Sequence, residues 1–290
     1  MPVPVISVAQ MREWEAATWA TGQTEAEVIR RAGDCLARRA RQLTRANDSI
    51  LILAGKGHNG DDARAAQQYL VDRKVVILDL LAPETDLPRL ETALREKPSL
   101  IIDGLFGVGL NRPLAEPWPS LIAAVNAAGL PVLAVDVPSG LNADTGETFG
   151  ACIQAAVTLT VGAPKAGMLA ATAWPFVGRL EVAADVGLVP CPLSSELKWT
   201  LPPDFQNFPP VREVAGHKGT YGHVSIVAGS LGYHGAAVIA TRGAQRAQPG
   251  LVTVFTREDV YYPVAAQLQS AMVGLWQADA KKMSTGFDAL

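Results

Sequence analysis

Four residues far apart in the chain carry oxygen chemistry: Asn59, Asp103, Asp136 and Ser139. An amide oxygen, a carboxylate and a hydroxyl at Asn59, Asp103 and Ser139 are hard ligands, suited to a cation without redox chemistry. Zinc does not fit that set, because no cysteine or histidine cluster accompanies it. Asp136 closes the apolar run PVLAVD and is the acid/base candidate. A carboxyl group at the rim of an apolar interior is suited to moving a proton near neutral pH. Each residue also has a plainer reading. A strand-end aspartate often caps the next turn, and a serine after proline is ordinary turn chemistry. What favours a joint role is the expectation that all four converge.

That expectation comes from the elements that carry them. Ile50–Ala54 reads as a buried strand, followed by the glycine-rich turn Gly55–Gly60 and a helix opening on Asp61 and Asp62. Glycines let a backbone approach a ligand closely, and the next helix offers free N–H groups. The two carboxylates disfavour a bare phosphate and suit a cation or a sugar hydroxyl. Further apolar runs at 74–80, 99–103, 131–136, 156–161 and 178–183 read as strands. Between them lie helical stretches, one from Asp86 to Lys97 with Pro88 in its first turn and one opened by Pro117. Before the first strand, Ser7 and Thr24 each begin a capping box. Continuous β-branched runs separated by helices imply a parallel sheet covered on both faces. The strands ending at 54, 103 and 136 all run into glycine- or aspartate-rich loops, which in such a sheet gather at the carboxyl edge, where ligands bind. Gly107–Pro113 could offer N–H groups to a pyrophosphate, with Lys56 and Arg112 adding charge and His58 able to shuttle a proton.

Composition bounds the function. The chain has 290 residues, 49% of them apolar, and a net charge of −3, which gives no electrostatic reason to expect nucleic acid or an anionic membrane. Three widely spaced cysteines argue against a disulfide framework and for a reducing compartment. The N-terminal residues lack the pattern of a signal peptide, and no apolar run reaches membrane-spanning length. A cytoplasmic protein is the expectation. From about Gly187 to Pro210 prolines cluster and periodicity fades, which reads as a linker. Beyond it a strand, glycine loop, helix and strand follow, with strands that read as buried on both faces.

Four motifs now resemble a known family in its order: GKGHNGDD at 55–62, DGLFGVGLNRP at 103–113, AVDVPSGLNADTGE at 134–147 and TLTVGAPKAGML at 158–169. They are similar to those of the NAD(P)H-hydrate epimerases, the YjeF N-terminal domain family. The resemblance implies a Rossmann-like three-layer α/β/α sandwich with a mostly parallel sheet. It also implies interconversion of the R and S epimers of NADH or NADPH hydrated at C6 of the nicotinamide. On the matching positions it makes Asn59, Asp103 and Ser139 potassium ligands. The substrate contacts it implies are His58, Asn59, Gly60, Asp61 and Asp62, the loop Gly107, Val108, Gly109, Leu110, Asn111, Arg112 and Pro113, and Asp136, which is also the catalytic residue. Lys165 aligns with a lysine often found there, with no role assigned. Family members are commonly dimers. The sequence departs from the pattern at His58, Asp61, Ala63 and Val108, and Asp61 puts a carboxylate where the family has glycine.

KGTYGHVSIVAGS, GAA and GLVTVFTRE, from residue 218 on, resemble the start of the ADP-dependent NAD(P)H-hydrate dehydratase domain, a ribokinase-like fold. The expected division is an epimerase domain over 1–205 and an incomplete dehydratase segment over 206–290, without dehydratase activity. The competing reading is a non-catalytic binding module of the same fold, which should lose the acid and the cation ligands. A dinucleotide dehydrogenase would need G-x-G-x-x-G with an acidic partner, which is absent.

Overall fold

A computed structural model describes residues 2–208 and 211–276. The prolines at 209 and 210, read as part of a linker, lie outside the described residues. The chain divides into two compact units, Met1–Leu201 and Pro202–Leu290.

In the first unit the order is β1 (Val3–Pro4), α1 (Val8–Trp19), α2 (Glu25–Leu43), β2 (Ser49–Ala54), α3 (His58–Ala66), β3 (Lys74–Asp79), α4 (Pro83–Arg95), β4 (Leu100–Gly104), α5 (Trp118–Ala127), β5 (Val132–Val135), β6 (Val157–Val161), α6 (Trp174–Val177), β7 (Arg179–Ala183) and β8 (Lys198–Trp199). Six strands form a parallel sheet in the order β3-β2-β4-β5-β6-β7. Strand alternation builds the three layers. Ile50, Ile52 and Ala54 point to one face and pack with Leu36, Ala37 and Ala40 of α2 and with Ala63 and Ala66 of α3. Leu51 and Leu53 point to the other face, against Leu90 of α4 and Leu121, Ile122 and Val125 of α5. Each leucine, isoleucine and valine among them contributes roughly 1.5–3 kcal/mol when fully buried. The fold is therefore a Rossmann-like α/β/α sandwich, and β2, β4 and β5 are neighbours whose carboxyl ends share one edge.

Several local starts differ from the sequence reading. Ser7 forms the full capping box with Gln10. Thr24 forms half of one: it accepts from Glu27 N, but the Glu27 carboxylate is drawn instead to Arg30 and Arg31. α3 begins at His58 rather than Asp61, so the glycine turn is only Gly55–Gly57. α4 begins at Pro83, not Asp86, and Pro88 lies inside it. Asp86 instead reaches back to accept from Leu81 N and Ala82 N, which holds the chain entering the helix. Residues 188–199 pair with the N-terminal segment: Val5 N donates to Leu197 O, Trp14 Nε1 to Val189 O, and β1 pairs antiparallel with β8.

The second unit contains β9 (His223–Val227), α7 (His234–Arg246), β10 (Leu251–Thr256), α8 (Tyr261–Ala265) and β11 (Met272–Leu275), with a parallel sheet in the order β11-β10-β9. Ala237, Val238 and Val264 of the helices cover Val254 on one face. The strands are not buried on both faces as their sequence suggests. Val224, Val227 and Met272 are exposed among the described residues, because no second helical layer packs on them. No helix among the described residues is long and apolar enough to cross a membrane.

Candidate functional site

The carboxyl edge of β2, β4 and β5 brings the four chemistry-bearing residues together, in two buried pockets. The first surrounds Asp103 at the end of β4, which is fully buried. Its Oδ1 accepts from Ser139 Oγ at 2.6 Å and Leu105 N at 3.2 Å, and its Oδ2 from Ser139 N at 2.9 Å. Ser139 Oγ also accepts from Phe106 N at 2.8 Å, and Asn59 Nδ2 donates to Phe106 O at 3.0 Å. Asn59, Asp103 and Ser139 thus meet around the backbone of Phe106. Gly140, at φ +100°, follows Ser139 because a side chain there would collide with the carbonyl of Ala151. Gly104 lets α3 sit directly on β4: a Cβ there would lie 2.5 Å from that of Ala63.

All of Asp103's partners are neutral, and no lysine or arginine pairs with it among the described residues. Burial pushes its carboxyl up to about 6, against hydrogen bonds that act the other way. A buried carboxylate without a counter-charge, an amide oxygen, a hydroxyl and a carbonyl suit an alkali cation. Among the described residues no group of three or more His, Cys, Asp or Glu side chains is placed to hold a metal, so the softer metals have no comparable set.

The second pocket surrounds Asp136, which follows β5 with φ +61°, a left-handed backbone that a non-glycine residue rarely adopts. Its Oδ1 accepts three bonds: from Lys165 Nζ at 2.6 Å, Thr160 Oγ1 at 2.9 Å and Val161 N at 3.0 Å. Lys165 is wholly buried, and Nζ donates also to Thr160 Oγ1 and Val161 O, both at 3.0 Å. All three donors meet the same oxygen, and Asp136 also helps to line a cavity.

That cavity, of about 580 Å³, is walled by α1 and α2, the start of α3, the loop Leu105–Arg112, Asp136 and Val161. Of the expected substrate contacts, His58, Asn59, Asp62, Asp136 and residues 107 to 112 line it, as does Lys56. Gly60, Asp61 and Pro113 do not. Gly60 packs against Gly55 inside the turn, and Asp61 turns away to pair with Arg64 Nη1 at 2.9 Å. Arg64 is held in turn by Asp79 and Gly55 O. The cavity also has residues the sequence reading did not place there: Met11, Arg12, Glu15 and Trp19 of α1. Nothing local marks them, since α1 is held beside the cavity by contacts distant in sequence, among them residues near 163 and 188. The cavity carboxyls are pushed upward: Asp62 well above its usual value by burial and by the charges of Asp136, Asp61 and Glu15, and Glu15 by burial and Asp136.

Comparison with known proteins fits this geometry. Residues 25–93 and 79–167 match the family described as YjeF-related protein N-terminus. The chain is 35% identical over 296 residues to a bifunctional NAD(P)H-hydrate repair enzyme of Gloeobacter violaceus, covering 93% of this chain and 58% of that protein. It is 33% identical over 272 residues to the enzyme of the same name in Coxiella burnetii, covering 86% and 56%. The chain thus spans a little over half the length of these curated relatives. A crystal structure of a yeast protein, ynu0, aligns at 21% identity and a TM-score of 0.49, covering 56% of this chain and 82% of that one. The chain belongs to the YjeF-related protein N-terminus family.

Proposed function

We propose that the first unit interconverts the R and S epimers of NADH or NADPH hydrated at C6 of the nicotinamide ring. The observation that carries this is Asp136, with one oxygen fixed by Lys165, Thr160 and Val161, lining a cavity flanked by a helix start and a glycine loop. The names of the relatives supply the substrate class.

The start of α3 and the N–H groups of Gly107 to Arg112 can receive phosphate, with Lys56, Arg12 and Arg112 adding positive charge. Inversion at C6 proceeds either by departure and return of the hydroxyl or by opening of the ring. Both routes need a proton moved at the C6 oxygen, a task we assign to Asp136, which lines the cavity. Potassium held by Asn59, Asp103 and Ser139 would supply positive charge that balances the buried carboxylate beside the loop. The ordering of Phe106 between Asn59 and Ser139 fixes that loop against α3. The binding-module reading predicts decay of these groups, and they are intact.

The test starts from one epimer of hydrated NADH and follows the R/S ratio by chromatography, in potassium and in sodium. Approach to equilibrium faster than in buffer is expected, with potassium required. A rate equal to buffer in both salts, with hydrated NADH still bound in a titration, would replace the enzyme with a binding module.

A further inference from the structure

We propose that Lys165 is the positioning residue of this site: its buried ammonium fixes Oδ1 of Asp136 so that Oδ2 alone is presented to the cavity. The inference rests on the epimerase reading and adds a role for a residue that does not line the cavity.

Three observations carry it. First, Lys165 cannot touch a ligand, since its side chain is wholly buried behind Asp136. Any effect on chemistry must pass through the groups it bonds, Asp136 first among them. Second, the three acceptors of Nζ are Asp136 Oδ1, Thr160 Oγ1 and Val161 O, and two of these residues bond the same carboxylate oxygen themselves. Thr160 passes the interaction on: its hydroxyl accepts from Lys165 and donates to Asp136. The result is a closed socket around one oxygen rather than a simple ion pair. Third, Asp136 is held with φ +61°. Such a backbone persists only where its surroundings over-determine it, and it recurs at sites that aim a group.

The backbone of Lys165 is itself clamped. Ile6 N donates to Pro164 O, and Ala166 N donates back to Ile6 O, so the N-terminal segment grips both sides of the lysine. A pair serving stability alone has little need of this, because buried ion pairs are often no more stabilising than apolar groups of the same volume.

The experiment compares steady-state epimerisation by the wild type, Lys165→Met and Thr160→Val, with thermal unfolding of each as a check on folding. Misplacing a reacting group by about 1 Å costs on the order of 100-fold. Lys165→Met should therefore lower kcat about 100-fold while KM stays within about threefold, since phosphate and loop contacts are untouched. Thr160→Val keeps charge and nearly keeps volume while removing one donor to the same oxygen and one acceptor of Lys165 Nζ, and should lower kcat about fivefold, again with little change in KM. Should Lys165→Met fail to fold, Thr160→Val decides. Unchanged kcat in Thr160→Val, or a folded Lys165→Met within twofold of the wild type, overturns the proposal. A rise in KM with kcat intact in either variant also overturns it. A wild type no faster than buffer sinks the epimerase reading, and this role with it, before any variant is compared.

Discussion

Asp103 and Asp136 end neighbouring strands of one sheet, both are buried, and both face loops of the same edge. They differ in what compensates them. Asp103 is met only by neutral donors, from Ser139 and Leu105. Asp136 is met by an ammonium from inside the fold and lines the cavity. A carboxylate whose counter-charge is built in can act on a substrate. One with no counter-charge among the described residues is left to recruit a cation, or to stay protonated. On the proposed function, the same residue type at the same kind of position divides into two tasks through its partners.

The largest expected effect tests the Asp136 side. Asp136→Asn keeps shape and removes the proton carrier, so epimerisation should fall by about 10²–10⁴-fold, measured as the rate of approach to the equilibrium R/S ratio. The rise in unfolding temperature on adding potassium should be unaffected. A variant retaining a tenth of the rate would end the comparison as drawn. Asp103→Asn should do the reverse: the unfolding temperature should become indifferent to the exchange of potassium for tetramethylammonium. If it still responds, the cation sits elsewhere.

A third effect follows from pH. The Asp103 carboxyl lies at about 6 in the folded protein, above its usual 3.8. Between those values the folded state holds the extra proton, so Asp103's contribution to stability falls as pH rises through that window. The loss by pH 7 without potassium is about 3 kcal/mol. Urea melts at pH 4.5 and 7.5 should show about 2 kcal/mol of it, since the rest is already lost at pH 4.5, and Asp103→Asn should remove that share. Potassium should restore stability at pH 7.5 and do little at pH 4.5. The smallest effect concerns Asp61. Its carboxylate is tied to Arg64 outside the cavity. Asp61→Ala should therefore alter KM less than threefold and cost about 0.5 kcal/mol in a chemical melt. A large gain in affinity would mean that Asp61 faces the bound phosphates after all.

Much of this arrangement is legible in the sequence, for local reasons. The runs at 50–54, 99–103 and 131–136 are apolar enough to be central strands, and their common ending in polar loops announces the edge they share. Asn59, Asp103, Asp136 and Ser139 follow from that. What stays hidden depends on contacts distant in sequence. Glu15 and Trp19 look like an ordinary helix surface until α1 is laid beside the cavity. Lys165 looks like a loop residue until its side chain is seen threaded back to Asp136. The start of α3 at His58 rather than Asp61 turns on backbone geometry at Gly57, whose φ of +106° no side-chain pattern reveals. The missing half of the Thr24 box reflects competition, since Glu27 finds two arginines nearer than the cap.

The clamp of the N-terminal segment has a consequence for how the molecule is made. Ile6 bridges to Lys165, Val8 N bonds Asp144 across 136 positions, and Trp14 bonds Val189 O across 175. These residues are made long before the segments they bond and are among the last to find their partners. At about 5–20 residues per second, Met11 and Trp14 wait roughly 10–30 s for the chain that will cover them. During that interval an apolar helix face is bare, and a chaperone that shields such faces during synthesis would meet it before the sheet does.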